Sequence, residues 1–344
     1  MIWLSWRQFR MPLLVVSTLV VASCAWLAVT GPALARLARR NVDVYDLLTS
    51  TDKLLFNGGV VVLAVVPAVI GIFWGAPLVA RELETGTYRL VWNQSVTRVR
   101  WLAVKLGFAV LATAVVVGIL TAAVTWWAHP LDGAVGAQRG SLVSRLTPIS
   151  FAMRGFVPVG YAVFALLLGT AIGLVVRRSL PAMALTLAVY VFVQIAVPLW
   201  IRPHLIPPTT ATVTIAQKTL DGISADGSGP FQIMVRARHR GDWVLTNQTV
   251  DSRGRAAALP SWFTTCLPAP PGASGGADRA AVQSGRDRLD ACFTRLTDEG
   301  YRQRLVYQSH RIFWRLQAAE TALYLLAAAG LGAFSLWWTR SRLS

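Results

Sequence analysis

Long stretches of this chain carry no charge, and that pattern restricts its fold more than any other feature. Runs free of Asp, Glu, Lys and Arg lie between Arg10 and Arg36, Lys53 and Arg81, Lys105 and Asp132, Arg154 and Arg177, Arg178 and Arg202, and Glu320 and Arg340. Crossing a hydrocarbon core of ~30 Å at 1.5 Å per residue takes about 20 apolar residues, and all six runs are long enough. A lipid-embedded segment must satisfy its own backbone hydrogen bonds, so these runs have to be helices. The expected fold is an all-α polytopic membrane protein with six transmembrane helices, near 11–31, 56–79, 104–127, 156–176, 180–201 and 318–339. A seventh run, between Arg255 and Asp278, contains Pro260, Pro268, Pro270, Pro271, Gly272, Gly275 and Gly276. Those residues would leave helix hydrogen bonds broken in lipid, so it is assigned to an aqueous loop.

Composition agrees with a membrane protein and excludes two soluble domains, because 54% of residues are hydrophobic, 14% are charged and the mean hydropathy is +0.51. Lys and Arg number 33 against 16 acids, a net charge of +17, and only Lys53, Lys105 and Lys218 are lysines. In a soluble domain this excess would point to nucleic acid. Here the cations flank apolar runs, where they fix orientation, and no nucleic-acid partner is expected. With the N-terminus inside, eleven cations of the short connections fall on the cytoplasmic side: Arg7, Arg10, Arg81, Arg89, Arg98, Arg100, Lys105, Arg177, Arg178, Arg340 and Arg342. Seven fall opposite: Arg36, Arg39, Arg40, Lys53, Arg139, Arg145 and Arg154. An N-in, C-in arrangement follows, with residues 340–344 as a cytoplasmic tail. Trp74, Trp126, Trp127, Trp200, Trp337 and Trp338 are assigned to span ends, where indole favours the headgroup layer.

Ahead of the first span, Ile2, Trp3, Trp6 and Phe9 recur at helical spacing, which predicts an interfacial helix over 1–10 with its apolar side toward lipid. The small residues before Cys24 resemble a lipoprotein cleavage site, but Ala25–Val29 continue the apolar run past the length of a signal core. Cys24 is therefore expected as a small buried residue of the first helix.

Residues 203–315 differ in composition, with fourteen Lys and Arg, nine acids and clusters of Pro, Gly and Ser. They predict a small α+β extracytoplasmic domain between helices 5 and 6, with limited regular structure. Phe231, Ile233 and Val235 alternate with polar positions, and His239–Asp242 offers a turn before Trp243–Leu245, which predicts a hairpin. Val282, Leu289, Cys292 and Leu296 share a helical face over 280–299, with Gly300 placed to end it. An oxidising compartment would permit Cys266 and Cys292 to pair, stabilising the domain by roughly 3–4 kcal/mol, although spacing alone leaves two free thiols open. Asn247-Gln248-Thr249 matches a glycosylation sequon, a pattern too frequent by chance to carry an argument.

No catalytic constellation is recognisable. Lys53 and Lys105 precede Leu, and Lys218 follows Gln where a phosphate-binding loop requires Gly. His129, His204, His239 and His310 lack metal-ligand spacing. The six expected spans carry essentially no ionisable residues, which argues against a proton-coupled carrier. The informative polar segment is Ala80–Trp101, joining the second and third spans. It mixes Arg81, Glu82, Glu84, Arg89 and Arg98 with Leu90, Val91 and Trp92, a composition suited to contact with another protein.

These features together resemble the membrane subunit of an ABC transporter, the ABC-2 type permease, and in particular actinobacterial permeases with a large loop before the last helix. The resemblance is carried by Ala80-Arg81-Glu82, then Glu84-Thr85-Gly86-Thr87-Tyr88-Arg89-Leu90, Ser95-Val96-Thr97-Arg98 and Lys105. A second stretch comprises Tyr301-Arg302-Gln303, Tyr307-Gln308, Arg311, Phe313-Trp314, Gln317 and Glu320, with Trp337-Trp338 and the basic tail. Ser309 and Arg315-Leu316 depart from the family pattern. The resemblance implies a subunit without a catalytic site, paired with a second permease as a homo- or heterodimer and with separate ABC ATPases that bind ATP and Mg. It implies export of a hydrophobic or amphipathic substrate across the cell membrane of a bacterium, amid its lipids. The ATPase-coupling element would comprise Arg81, Glu82, Glu84, Gly86, Thr87, Arg89, Leu90, Val91, Trp92 and Arg98, within cytoplasmic segment 81–100, and Glu82 would pair with an ATPase arginine. The alternative is a membrane-anchored binding or sensing protein whose exterior domain works without transport.

Overall fold

The computed structural model describes residues 17–18, 20–32, 36, 65–86, 97–134, 145–225, 231–236, 239, 241–267 and 279–342. The expected interfacial helix at 1–10 lies outside the described residues. The described chain divides into two compact units: a helical unit made of residues before Gln138, Thr147–Pro207 and residues from Ile312 onward, and a second unit made of Pro208–Arg311 with Arg145 and Leu146.

In the helical unit, α1 (Val20–Pro32) is a short apolar helix. It is followed by α2 (Val65–Thr85), α3 (Arg98–Ala134), the short α4 (Pro148–Ala152), α5 (Val157–Val176) and α6 (Ser179–Leu205). The last helix of this unit, Phe313–Ser341, is named α8 because α7 (Arg279–Asp298) precedes it in the second unit. Among the described residues, five helices are long and apolar enough to cross a membrane: α2, α3, α5, α6 and α8.

Helix α5 is the centre of this unit, packing against α2, α3, α6 and α8, and is buried over most of its length. It lies unusually close to α2 because glycines four residues apart face each other, Gly71 and Gly75 on one helix and Gly169 and Gly173 on the other. A Cβ added at Gly169 would stand 2.7 Å from the Ala76 nitrogen, and one at Gly71 would stand 2.9 Å from the Ala165 Cβ. Small residues at this spacing let helix backbones approach in lipid, where van der Waals contact replaces the hydrophobic drive. The Thr170 hydroxyl lies 2.9 Å from the Leu166 carbonyl and 3.3 Å from that of Gly75, adding a polar tie across the contact.

Two π-turns interrupt the helices, Gly71–Gly75 in α2 and Val197–Ile201 in α6. In each, the closing amide belongs to the residue just before a proline: Ala76 N–H donates to Gly71 O, and Arg202 N–H to Val197 O. Pro77 and Pro203 have no N–H and would clash with the preceding turn, and the wider turn accommodates them. Trp74 sits within the first π-turn and is buried, which corrects its assignment to the headgroup layer. Trp126, Trp200 and Trp337 are exposed on the helical unit, as a lipid-facing indole would be.

The second unit contains more regular structure than its composition suggests. β1 (Thr209–Val213), β5 (Arg302–Gln308) and β4 (Trp243–Val250) form an antiparallel sheet in that order, while β2 (Leu220–Ala225) and β3 (Phe231–Val235) form a separate pair. The expected hairpin between β3 and the Trp243 strand is therefore corrected: β3 pairs with β2, and β4 pairs with β5. Side chains replace the missing ladder. Asn247 donates to the Val235 carbonyl at 2.8 Å, Gln303 donates to the Ile233 carbonyl at 2.8 Å, and Thr249 donates to Gln303 at 3.0 Å. With its amide committed here, Asn247 is a poor glycan acceptor in the folded chain.

Helix α7 closes the core of this unit, where Ile215, Ile233, Val235, Phe263, Phe293, Leu296 and Leu305 meet. Gly300, at φ 87, turns the chain from α7 into β5. A disulfide joins Cys266 to Cys292 with their Cα atoms 6.3 Å apart, and the Arg295 guanidinium stacks 4.1 Å from the Trp262 ring.

Candidate functional site

Two polar clusters in the helical unit stand out from its apolar packing. The first lies where α2 ends, at the start of the segment singled out from sequence. α2 runs through Arg81, Glu82 and Glu84 and stops at Gly86, whose φ of 71 is a left-handed helix cap. The next described helix, α3, starts after Thr97, whose hydroxyl accepts the Arg100 amide at 3.4 Å, so Arg98 opens its first turn. Arg81 is exposed and Arg98 half-buried. Thr87, Arg89, Leu90, Val91 and Trp92 lie outside the described residues.

Both acids of this segment are engaged by the chain itself. Glu82 forms an ion pair with Lys105 of α3, and the Lys105 ammonium, almost fully buried, sits 4.7 Å from the Trp101 ring. The pair explains how a lysine is tolerated inside α3. Glu84 accepts the Ser179 amide at 3.0 Å and the Ser179 hydroxyl at 2.8 Å, capping the first turn of α6 from a neighbouring helix. A carboxylate there also meets the positive end of the helix dipole. The tight turn placing Ser179 uses Arg177 at φ 57 and an extended Arg178. Glu82, expected to face an ATPase arginine, thus has an intramolecular partner, and the end of α2 is tied to both α3 and α6.

The second cluster was missed in sequence. Arg202 and Glu320, taken there as boundaries of two apolar runs, meet inside the helical unit. Arg202 Nε donates to Glu320 Oε2 at 2.8 Å and Nη2 to Oε1 at 3.0 Å, with both side chains at most 1% exposed. The Tyr161 hydroxyl of α5 donates to Glu320 Oε1, and the guanidinium packs 4.3 Å from the Phe151 ring of α4. Tyr324, one turn beyond Glu320, meets Tyr161 edge-on at 4.6 Å between ring centres. Nη1 of Arg202 and the hydroxyl of Tyr324 are buried without a hydrogen-bond partner among the described residues.

One turn before Glu320, Gln317 joins the same helices through backbone groups. Its Oε1 accepts the amides of Phe156 and Val157 at 3.1 and 3.0 Å, and its Nε2 donates to the Phe151 carbonyl at 3.1 Å. Gln317 of α8 therefore caps the N-terminus of α5, which has no cap of its own. Gly155, at φ 70, lies against this amide, and a Cβ there would stand 2.8 Å from Gln317 Oε1. The spans are thus not devoid of ionisable groups, because Lys105, Arg202 and Glu320 are all buried among the helices. An opposite charge bounding each of two separate apolar runs was the signal available in the sequence. Among the described residues, no group of three or more His, Cys, Asp and Glu is placed to hold a metal ion.

Several long apolar helices around a buried core helix, joined by buried ion pairs, define a multi-pass helical membrane protein with an inserted α+β unit. The profile of the ABC-2 membrane transporter related family matches residues 17–202, more than half of the chain, and the chain belongs to that family. The match supports an ABC-2 type permease. Searches of curated proteins and of solved structures each returned no match.

Proposed function

We propose that this chain is the membrane-spanning subunit of an ATP-driven ABC exporter. It pairs with a second permease subunit and with separate ATPases that hold ATP and Mg, and it moves a hydrophobic or amphipathic substrate across the cell membrane. The family match over residues 17–202 carries the reading. A sixth span is the apolar run containing α1, which places both termini in the cytoplasm and the second unit outside by the excess of cations on the short cytoplasmic connections.

In this reading, Arg81, Gly86, Thr87, Arg89, Leu90, Val91, Trp92 and Arg98 form the surface that meets the ATPase, while Glu82 and Glu84 transmit its movement. A two-state membrane path needs a lever fixed to the helices it moves. The Glu82–Lys105 and Glu84–Ser179 contacts supply one, since displacement of the α2 end would be passed to α3 and α6 together. The test is site-directed cross-linking: cysteines at Leu90 and Trp92 should cross-link to a co-purified ATPase, and Glu84→Gln should weaken stimulation of its turnover by substrate. Cross-linking from Trp338→Cys but from neither of those positions would refute the assignment.

A further inference from the structure

The Arg202–Glu320 pair has features that a static packing element does not require. An ion pair buried among apolar helices is usually no more stabilising than apolar residues of similar size, because desolvation offsets the attraction. This pair also leaves Arg202 Nη1 without an acceptor among the described residues, so its desolvation is incompletely compensated. A second arrangement, in which water or a headgroup oxygen reaches that nitrogen, is correspondingly closer in free energy. Closeness of two discrete arrangements is what a switch needs.

The tie is also placed asymmetrically. α5 and α8 are held to each other along their length by apolar packing, by the Gln317 cap and by Tyr161, Phe164 and Tyr324. The C-terminal turn of α6 is joined to this pair through Arg202. Its helix widens just there into the π-turn before Pro203, and Leu199 and Trp200 on that turn are exposed. Arg202 stands shortly before Pro207, the last residue of the helical unit ahead of the second unit, and Glu320 stands shortly after Ile312, where the chain returns.

We infer that Arg202 and Glu320 form a charge latch that holds the C-terminal end of α6 against the α5–α8 pair and parts during the working cycle. The inference rests on the transporter reading for the purpose of the movement, but the latch itself is testable without an ATPase. Spin labels are placed at Leu199→Cys and Leu326→Cys in a Cys24→Ala background of the full chain in lipid nanodiscs, and the inter-label distance distribution is measured by pulsed electron resonance. The disulfide cysteines do not react with the label.

The unaltered pair should give one dominant distance. Glu320→Gln removes the counter-charge and leaves the buried Arg202 uncompensated, so it should add a longer-distance population of at least comparable size, while a Val175→Cys and Leu326→Cys control pair, reporting on α5 and α8, stays unchanged. Arg202→Leu combined with Glu320→Leu replaces the pair by apolar packing, so it guards against a general loss of the fold and should show the longer population in smaller proportion. A Glu320→Gln distribution that matches the unaltered pair, or a double leucine variant that opens further than Glu320→Gln, would overturn the latch. So would movement of the control pair equal to that of α6. If no ATPase co-purifies while the longer population appears, the transporter reading fails and the latch stands.

Discussion

Replacing Gln317 with Leu isolates the contribution of a polar cap supplied across a membrane helix contact. The side chain is fully buried, and its one amide satisfies two amides at the start of α5 and one carbonyl of α4. Leucine has nearly the same volume, so the cavity contribution is small. Three hydrogen bonds at the interhelical average of about 0.6 kcal/mol set a floor near 2 kcal/mol. Leaving buried groups without partners costs about 1–3 kcal/mol each. Because the two amides share one oxygen and relax together, we expect a loss of about 3–5 kcal/mol. Unfolding in mixed detergent micelles, followed by helix circular dichroism, gives the value. A loss below about 1 kcal/mol, with unchanged helix content, would refute the reasoning that this amide holds α5 in place.

Gly169→Val should destabilise the helical unit by about 1–3 kcal/mol in the same assay, because its side chain would enter the α2 backbone at Ala76; no change would mean that the helices separate freely there. Cys266→Ser with Cys292→Ser opens a link spanning 26 residues, which in the chain-entropy model should lower the stability of the second unit by about 3–4 kcal/mol. Differential proteolysis of the full chain measures that loss, and equal resistance of the variant would contradict it. In the turn after β4, the amide of Arg255 and then that of Arg253 hold the Asp251 carboxyl below the usual carboxylate range, aided by the Arg255 guanidinium. A lowered folded-state value stabilises above the ordinary carboxylate pKa, and that contribution is lost as pH falls through the lowered value. The protection of the Arg253 and Arg255 amides against hydrogen exchange, taken relative to their intrinsic rate at each pH, should therefore fall at acid pH, and Asp251→Asn should remove that dependence.

Residue types alone picked out the five long apolar helices α2, α3, α5, α6 and α8, because a charge-free run long enough to cross hydrocarbon has few folding options. They could not reveal what happens at the ends of those runs. Lys105, Arg202 and Glu320 looked like boundaries because a charge in lipid is costly alone, and only the three-dimensional arrangement shows that each has a partner on another helix. The facing glycines of α2 and α5 were passed over in the sequence, where only their four-residue spacing could have marked them, and which helices they join is a tertiary fact. In the second unit, alternation along Phe231–Val235 identified a strand but not its neighbour. Its other edge is taken up by Asn247 and Gln303, whose side-chain amides donate to β3 carbonyls. The segment 81–100 was conspicuous as a mixture of Arg, Glu and Trp, yet the inward commitment of Glu82 and Glu84 depends on Lys105 and Ser179, distant in sequence.

The central claim is that the chain transports only together with a separate ATP-hydrolysing subunit. The direct measurement is purification of the tagged chain from its native membrane in mild detergent, identification of the associated subunits, and reconstitution of the assembly into vesicles. The expected result is a co-purifying ATPase carrying a phosphate-binding loop, ATP turnover by the assembly, and accumulation of substrate that stops when that subunit is withheld. Uphill transport by vesicles containing this chain and no nucleotide hydrolase would contradict it.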